Sequence, residues 1–263
     1  MECRVGQTTV HYVEHGHGTP VLVLHGAGVD HREAEACFDP GLDVDGLRRL
    51  YPDLPGMGRT AAPPSIRSAD DVLDILLGFI DRVARGGDLL VAGHSAGAHY
   101  ARALAARRPG VTGLALICPL LPDTHDVPTH APVIARDDLG DAGFHGYFVL
   151  QTPEMLDRYE RFVAPAAELV DAVAMDRIGQ RWELAAAGEP YVGPVLLVAG
   201  RRDSTVGWAA TADLAEVYPR ATLAVLDDVG HALPHEESTL LAALLQDWLR
   251  RVATTRSDGP PGR

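Results

Sequence analysis

Short apolar runs recur along the chain, separated by stretches with helical spacing. Five of these runs are continuously apolar, which is typical of strands whose two faces are both covered. They lie at residues 21–24, 89–92, 114–117, 195–198 and 223–226. Residues 8–15 instead alternate apolar and polar side chains, which predicts a half-buried strand. Leu50 and Tyr51 form a weaker strand candidate.

Helical patterns fill most of the intervals between these strands. Residues 68–83 carry apolar side chains at helical spacing, and Ser68 is a suitable N-cap. Further helices are predicted at residues 96–108, 208–218 and 236–252. Because buried strands alternate with helices, the pattern predicts an α/β fold, with a mostly parallel sheet flanked by helices.

One long interval breaks this alternation. Residues 119–190 contain no confident buried strand and are far longer than an ordinary loop. They have helical character from residue 154 to 187, so we expect a mainly helical insertion over the edge of the sheet. The expected division is a core at residues 1–119 and 191–252, a cap or lid insertion at 120–190, and a flexible tail at 253–263.

Composition and charge argue against several classes of function. Of the 263 residues, 46% are hydrophobic, and the formal net charge of −13 disfavours binding to nucleic acid or to anionic membranes. No apolar run reaches the ~20 residues that a membrane-spanning helix needs. Cys3, Cys37 and Cys118 fit neither a disulfide framework nor a zinc site. We expect a soluble, cytoplasmic protein that binds a small molecule and no metal; homodimer formation stays open.

A Gly-x-Ser-x-Gly motif at residues 93–97 lies between a predicted buried strand and a predicted helix. In that context the Ser occupies a tight strand-to-helix turn, and the flanking glycines let neighbouring backbone pass close by. Ser95 is therefore the candidate nucleophile. The simpler interpretation is a Ser that only caps the helix.

A serine nucleophile needs a general base and a carboxylate that orients the base. Asp203 follows the fourth buried strand and His231 follows the fifth, which gives the chain order Ser, acid, His. Loops at the carboxyl ends of parallel strands meet at one crevice, so we expect Ser95, Asp203 and His231 to lie together. The alternative acids and the alternative base are Asp123, Asp227, Asp228 and His235.

Acyl transfer also needs N–H donors that stabilise the developing oxyanion. The N–H of Ala96 directly follows the nucleophile at a helix N-terminus. The loop after an early strand, residues 25–28, offers the second donor, with Ala27 as the first choice and Gly28 as the next. His25 is expected to hold this loop rather than to take part in the chemistry.

These motifs together resemble the α/β-hydrolase-fold serine hydrolases. The matching segments are residues 25–26, 53–59, 93–97, 200–203 and 230–231. The resemblance implies an eight-stranded, mostly parallel sheet, a Ser-His-Asp triad, no cofactor, and a cap that covers the site and selects the substrate. Ser95 differs from the Asp that haloalkane dehalogenases and epoxide hydrolases of this fold carry at that position.

Six residues are candidates for substrate contact. They are Gly26, Gly28, His94, Phe144, Phe148 and Trp182. The three aromatic residues lie in the insertion, where they either line an apolar acyl pocket or form the insertion's own core.

Three histidines near the chain start, His11, His15 and His17, share one strand face. They lack a partner at metal-binding spacing, so we interpret them as solvated turn residues.

The leading function is hydrolysis of a small ester or related acyl substrate through an acyl-enzyme. A carbon–carbon bond hydrolase of a dienoate or diketone would use the same triad, and a biosynthetic thioesterase or cyclase would share the fold. A non-catalytic binding protein with a hydrolase-like fold would show ligand affinity without turnover.

Overall fold

A sheet of eight strands forms the centre of the computed structural model, which describes residues 1–84, 87–185 and 191–257. The strands are β1 (Glu2–Val5), β2 (Thr8–Gly16), β3 (Thr19–Leu24), β4 (Leu47–Pro52), β5 (Leu89–His94), β6 (Val111–Ile117), β7 (Val195–Gly200) and β8 (Ala221–Leu226). Their order across the sheet is β1-β2-β4-β3-β5-β6-β7-β8. The β1–β2 and β2–β4 pairs are antiparallel and the others are parallel, which confirms the predicted α/β sheet.

Helices cover both faces of the sheet. On one face lie α1 (His31–Leu42) and α10 (Ser238–Ser257), and on the other lie α2 (Ala69–Val83), α3 (Ala96–Arg107) and α8 (Ala209–Val217). Strand β3 shows why the strand sequences are continuously apolar. Val21 and Val23 belong to the core beneath α1 and α10, whereas Leu22 and Leu24 belong to the core beneath α2 and α3.

Two elements of the core, β1 and α1, have no counterpart in the predicted pattern. Helix α1 contains Pro40 and Gly41, two residues that usually interrupt a helix. Gly41 is explained by packing, because a Cβ at that position would lie 2.9 Å from the Cα of Ala242 in α10. The predicted N-cap Ser68 is confirmed, since its Oγ accepts a hydrogen bond from the Asp71 N–H at 3.3 Å.

The insertion lies between β6 and β7, at residues 118–194. Its described part contains α4 (Ala142–Tyr147), α5 (Pro153–Arg158), a π-helical turn (Tyr159–Val163), α6 (Ala164–Ala167) and α7 (Ala172–Gly179). The sequence predicted helical structure from residue 154 to residue 187. In the structure it begins earlier, at Ala142, and α7 ends at Gly179. Residues 186–190 lie outside the described residues.

The last helices follow β8. After the short α9 (Leu233–Glu236), α10 extends to Ser257, so the helix continues past the predicted end at residue 252. The first part of the expected tail is therefore helical, and residues 258–263 lie outside the described residues. Across the described ranges, no helix has both the length and the apolar character required to cross a membrane.

Candidate active site

Ser95 occupies a strained turn between β5 and α3. Its backbone has φ 53° and ψ −118°, in the left-handed region that non-glycine residues rarely adopt. The glycines of the motif make this turn possible, because a Cβ at Gly93 would overlap Gly97 and a Cβ at Gly97 would overlap the Leu24 carbonyl. The Ser95 side chain makes no helix-capping hydrogen bond. The turn therefore holds the hydroxyl away from its own helix, against the capping interpretation.

The three predicted triad residues lie together at the carboxyl end of the sheet. His231 Nε2 lies 3.0 Å from Ser95 Oγ, and His231 Nδ1 lies 2.8 Å from Asp203 Oδ2. Ser95 is 7% exposed and Asp203 is fully buried. The alternative acids Asp123, Asp227 and Asp228 are exposed, and the alternative base His235 lies against Glu33 instead.

Asp203 is held as a carboxylate. Its Oδ1 accepts hydrogen bonds from the N–H groups of Thr205 at 2.9 Å and Val206 at 3.0 Å. Burial alone would raise the pKa of Asp203, but its attraction to His231 and these hydrogen bonds lower the pKa below its usual value. An ionised Asp203 can only accept, so His231 carries its proton on Nδ1 and presents the Nε2 lone pair to the Ser95 hydroxyl. This is the arrangement in which an imidazole can remove the hydroxyl proton.

Two backbone N–H groups, those of Ala27 and Ala96, are the predicted donors to the oxyanion. Ala96 is the first residue of α3, and Ala27 lies on the exposed loop after β3. Neither N–H has a hydrogen-bond partner among the described residues. The Gly28 N–H, by contrast, lies 3.4 Å from Met57 Sδ, which favours Ala27 over Gly28 as the second donor. The role of Ala27 and Ala96 stays a prediction.

His25 fixes this loop, as the sequence suggested. The fully buried imidazole bonds to the Gly26 carbonyl through Nδ1 at 2.7 Å, and its Nε2 accepts from the Leu54 N–H at 2.9 Å. Burial lowers the pKa of His25, so the ring is neutral and carries its proton on Nδ1.

The residues predicted for substrate contact have different environments. A Cβ at Gly26 would lie 3.4 Å from Ser95 Cβ, which places this glycine beside the nucleophile. His94 is almost fully buried and donates from Nε2 to the His231 carbonyl at 3.0 Å, so its side chain supports His231 instead of facing an open cleft.

Two of the three candidate aromatic residues of the insertion, Phe144 and Phe148, favour the core interpretation. Phe144 and Phe148 are fully buried, 5.3 Å apart between ring centroids, and pack with Met155 and Ala232. Trp182 packs on His99 of α3 and lines a surface groove with Ser68 and Asp70. Substrate contact by these three residues stays a prediction without a supporting contact in the structure.

A second buried carboxylate, Asp53, joins distant segments of the chain, which the sequence pattern did not predict. Its Oδ1 accepts from His31 Nδ1 at 2.7 Å and from the His31 N–H at 2.9 Å. Its Oδ2 accepts from His11 Nδ1 at 3.0 Å and from the Arg59 N–H at 2.9 Å. The interpretation of His11 as a solvated turn residue is wrong, because the side chain is buried against Asp53 from a distant part of the chain.

Three groups of buried side chains lie close enough to ligate a metal ion. They are His94 with Cys118 and His231, His11 with His31 and Asp53, and Glu33 with Cys37 and His235. In each group hydrogen bonds already join ligand atoms to protein partners. These contacts explain the clusters without an ion.

Glu236 ties the insertion to the loop that carries His231. Its Oε2 accepts from the Gly230 N–H at 2.7 Å, and its Oε1 accepts from the N–H groups of Val149 at 2.7 Å and Leu150 at 3.2 Å. Burial raises the pKa of Glu236, and the three N–H groups partly oppose that effect. No local pattern in the sequence marks the contact of Glu236 with Val149, since these residues are far apart in the chain.

Known proteins resemble this chain over most of its length. It is 27% identical to the magnesium-chelatase 30 kDa subunit of Rhodobacter capsulatus, covering 88% of this chain and 87% of that protein. It is 26% identical to 2-(acetamidomethylene)succinate hydrolase of Mesorhizobium japonicum, covering 86% of each. The solved structure of an alpha/beta superfamily hydrolase from Oenococcus oeni PSU-1 superposes with a TM-score of 0.84 at 23% identity, covering 96% of this chain and 99% of that one.

A family model decides the classification. The model of the alpha/beta hydrolase family matches residues 21–244, which include the Ser95 turn, Asp203 and His231. The sheet order and the solved structure agree with this match. The chain therefore belongs to the alpha/beta hydrolase family.

Proposed function

We propose that the protein is a serine hydrolase that cleaves a small ester or related acyl substrate through an acyl-enzyme. One observation carries this proposal: the unbroken contact from Asp203 Oδ2 through the His231 ring to Ser95 Oγ, at 2.8 Å and 3.0 Å. A serine hydroxyl is a weak nucleophile without such a base, and the base keeps its orientation through the buried acid.

Acylation begins when Ser95 Oγ attacks the substrate carbonyl carbon and its proton passes to His231 Nε2. The carbonyl oxygen becomes an oxyanion, and the N–H groups of Ala27 and Ala96 stabilise it. As the tetrahedral intermediate collapses, the bond to the leaving group breaks and His231 returns the proton to that group. The acyl group is then bonded to Ser95.

Deacylation repeats these steps with water as the nucleophile. His231 Nε2 takes a proton from the water as its oxygen attacks the acyl carbon, and the same N–H groups receive the second oxyanion. Collapse breaks the bond to Ser95 Oγ, which regains its proton from His231. A carboxylic acid leaves and the enzyme returns to its starting state.

The insertion packs against loops of the site, which supports the role of a cap. Val29, which follows the loop of Ala27 and Gly28, packs with Val163 and Ala166 of the insertion. A Cβ at Gly230, next to His231, would lie 2.9 Å from Val149 Cγ1. The insertion thus places aliphatic side chains beside two loops of the site.

Turnover of p-nitrophenyl esters of graded acyl length tests this proposal. Wild type and Ser95→Ala are compared, with Ser65→Ala as the matched control because Ser65 is exposed in a turn. We expect turnover by wild type and Ser65→Ala, and a loss of at least about 10³-fold in Ser95→Ala. The preferred acyl length reports the size of the acyl site.

Other outcomes favour the alternatives. If wild type turns over a ring-cleavage dienoate and no ester, the same triad serves carbon–carbon bond hydrolysis. If wild type binds esters without any turnover, the ester hydrolase proposal is wrong, and a binding role or a dedicated biosynthetic acyl substrate takes its place.

A further inference from the structure

A line of polar side chains connects the insertion to the backbone of His231. We call Arg158, His235, Glu33 and His94 the buried polar chain. Arg158 Nε lies 3.0 Å from His235 Nδ1, and His235 Nε2 lies 3.2 Å from Glu33 Oε1. Glu33 Oε1 lies 4.0 Å from His94 Nδ1, and His94 Nε2 lies 3.0 Å from the His231 carbonyl oxygen. None of these contacts takes part in the acyl-transfer steps.

Each member of the buried polar chain comes from a different element. Arg158 ends α5 of the insertion, His235 is in α9, Glu33 is in the first turn of α1, and His94 ends β5 next to Ser95. Glu33 and His235 have fully buried side chains. The chain therefore runs from the half-buried Arg158 of the insertion to buried side chains of the core.

The direction of every hydrogen bond in the chain follows from its two ends. Arg158 can only donate, so His235 Nδ1 accepts and His235 Nε2 carries the proton that it donates to Glu33. The His231 carbonyl can only accept, so His94 carries its proton on Nε2. Arg158 thus supplies the positive charge that balances the Glu33 carboxylate across a neutral imidazole.

The protonation of the buried groups agrees with this order. Burial alone would raise the pKa of Glu33, but its contacts with His235 and His94 lower it to about 2. Burial, together with the nearby His231, lowers the pKa of His94 to about 4. At neutral pH Glu33 is therefore a carboxylate and the His94 ring is neutral.

The link between Glu33 and His94 is its weakest point. Glu33 Oε2 and His94 Nδ1 are both buried and have no hydrogen-bond partner among the described residues. Both atoms are acceptors in this protonation state, so Glu33 and His94 meet at 4.0 Å without a hydrogen bond between them.

We propose that Arg158 is a positioning residue of the active site: through His235, Glu33 and His94 it holds the His231 backbone, and hence the imidazole, in register with Ser95. The second contact of Arg158 supports this role, since its Nη2 reaches the Ala36 carbonyl in α1 at 3.5 Å. The triad is then aligned only when the insertion packs against α1. The catalytic consequence rests on the proposed function.

Arg158→Gln tests the proposal, with Arg158→Lys as the conservative variant and Arg161→Gln as the matched control. Arg161 lies on the same helical segment, but its side chain is 63% exposed and pairs with Asp157 one turn away. We expect Arg158→Gln to lower kcat about 10–100-fold with little change in KM, because a small displacement of a catalytic group costs that much. Arg158→Lys recovers part of the loss, and Arg161→Gln behaves as wild type.

A proton NMR measurement tests the same claim without substrate. The His231 Nδ1 proton, held by Asp203 at 2.8 Å, should give a separate downfield resonance. Arg158→Gln and His94→Asn should each shift this resonance, whereas Arg161→Gln should not. Because both act through one chain, the Arg158→Gln/His94→Asn double variant should lose no more kcat than His94→Asn alone.

Three results would overturn the positioning role. They are an unchanged resonance in Arg158→Gln, a rise in KM with an unchanged kcat, and additive losses in the double variant. If Arg158→Gln does not fold, Arg158→Lys and His94→Asn carry the same readouts. Failure of the proposed function appears separately as absent turnover by wild type, and the resonance then still decides whether Arg158 positions His231.

Discussion

Two buried carboxylates in this protein have almost the same surroundings and different consequences. Asp203 and Asp53 both follow parallel strands, β7 and β4, and both are fully buried. Each accepts hydrogen bonds from an imidazole Nδ1 and from two backbone N–H groups. In both cases burial alone would raise the pKa, and the hydrogen bonds lower it below the usual value.

What differs is the group beyond the imidazole. His231 presents Nε2 to the Ser95 hydroxyl at 3.0 Å. Asp53 has a second imidazole instead, and within the described residues neither His11 nor His31 has a serine or cysteine side chain as a partner. At both positions, a buried carboxylate bonded to an imidazole therefore holds loops together. It becomes a candidate catalytic site only where a strained turn brings a nucleophile to the free nitrogen.

The largest effect expected from this comparison is the loss of activity in Asp203→Asn. An amide no longer favours the His231 tautomer with its proton on Nδ1, so the Nε2 lone pair is no longer presented to Ser95. We expect kcat for a p-nitrophenyl ester to fall by about 10³–10⁴-fold, with a largely intact fold. Steady-state kinetics and circular dichroism of the same samples check this. A kcat within tenfold of wild type would show that Asp203 does not orient the base.

Asp53→Asn should have the opposite profile. The amide cannot accept all four hydrogen bonds, so buried N–H groups lose their partners, at a cost of about 2–4 kcal/mol in the free energy of unfolding. Most of kcat should remain in the folded fraction, because Asp53 does not contact the triad. Urea denaturation and active-site titration measure the two quantities. A large loss of kcat without a loss of stability would erase the distinction between the two carboxylates.

Gly58→Ala should destabilise the Asp53 centre by a smaller amount. Gly58 has φ 55°, and a Cβ there would overlap the Asp53 carboxylate. Gly6→Ala is the matched control, since Gly6 has φ 59° and nothing lies within 4 Å of its added Cβ. We expect about 1 kcal/mol for Gly6→Ala from backbone strain and about 2 kcal/mol for Gly58→Ala. If both variants lost the same free energy of unfolding in urea denaturation, the Asp53 carboxylate would move away from the added Cβ at no cost.

The smallest expected effect is a change in the pH dependence of stability. An unfolded Asp binds its proton near its usual pKa of about 3.8, whereas native Asp53 stays ionised to lower pH. The unfolded state thus binds more protons. The stabilisation that Asp53 contributes is therefore fully present above about pH 5 and is lost as the solution is acidified. Removing this one group in Asp53→Asn should make the decline between pH 5 and 3 shallower, by at most about 1.4 kcal/mol per pH unit. An identical decline in wild type and Asp53→Asn would contradict the lowered pKa of Asp53.

The residues of the candidate triad could be predicted because local patterns place each of them. Ser95, Asp203 and His231 each follow a continuously apolar run, and parallel strands bring such loops to one edge. Asp53 follows a strand as well, but its partner His11 comes from β2. Spacing along β2 does not reveal which face another loop will cover, so His11 was expected in solvent.

The insertion was the least predictable region. Its helices α4 and α5 have six residues each and α6 has four, too few to establish a helical period. Their positions are fixed instead by distant contacts, such as Glu236 with the Val149 N–H and Arg158 with His235. The buried polar chain joins four separate elements, and no local pattern in the sequence marks it.

Covalent labelling with a fluorophosphonate tests most directly whether Ser95 is the activated nucleophile. Its Oγ should displace fluoride from phosphorus, and intact-mass spectrometry would then show one phosphonyl group per chain, on the peptide that contains Ser95. We expect rapid single labelling of wild type, none of Ser95→Ala, and much slower labelling of Asp203→Asn. Wild type that stays unlabelled, or Ser95→Ala that is labelled at the wild-type rate, would contradict the assignment.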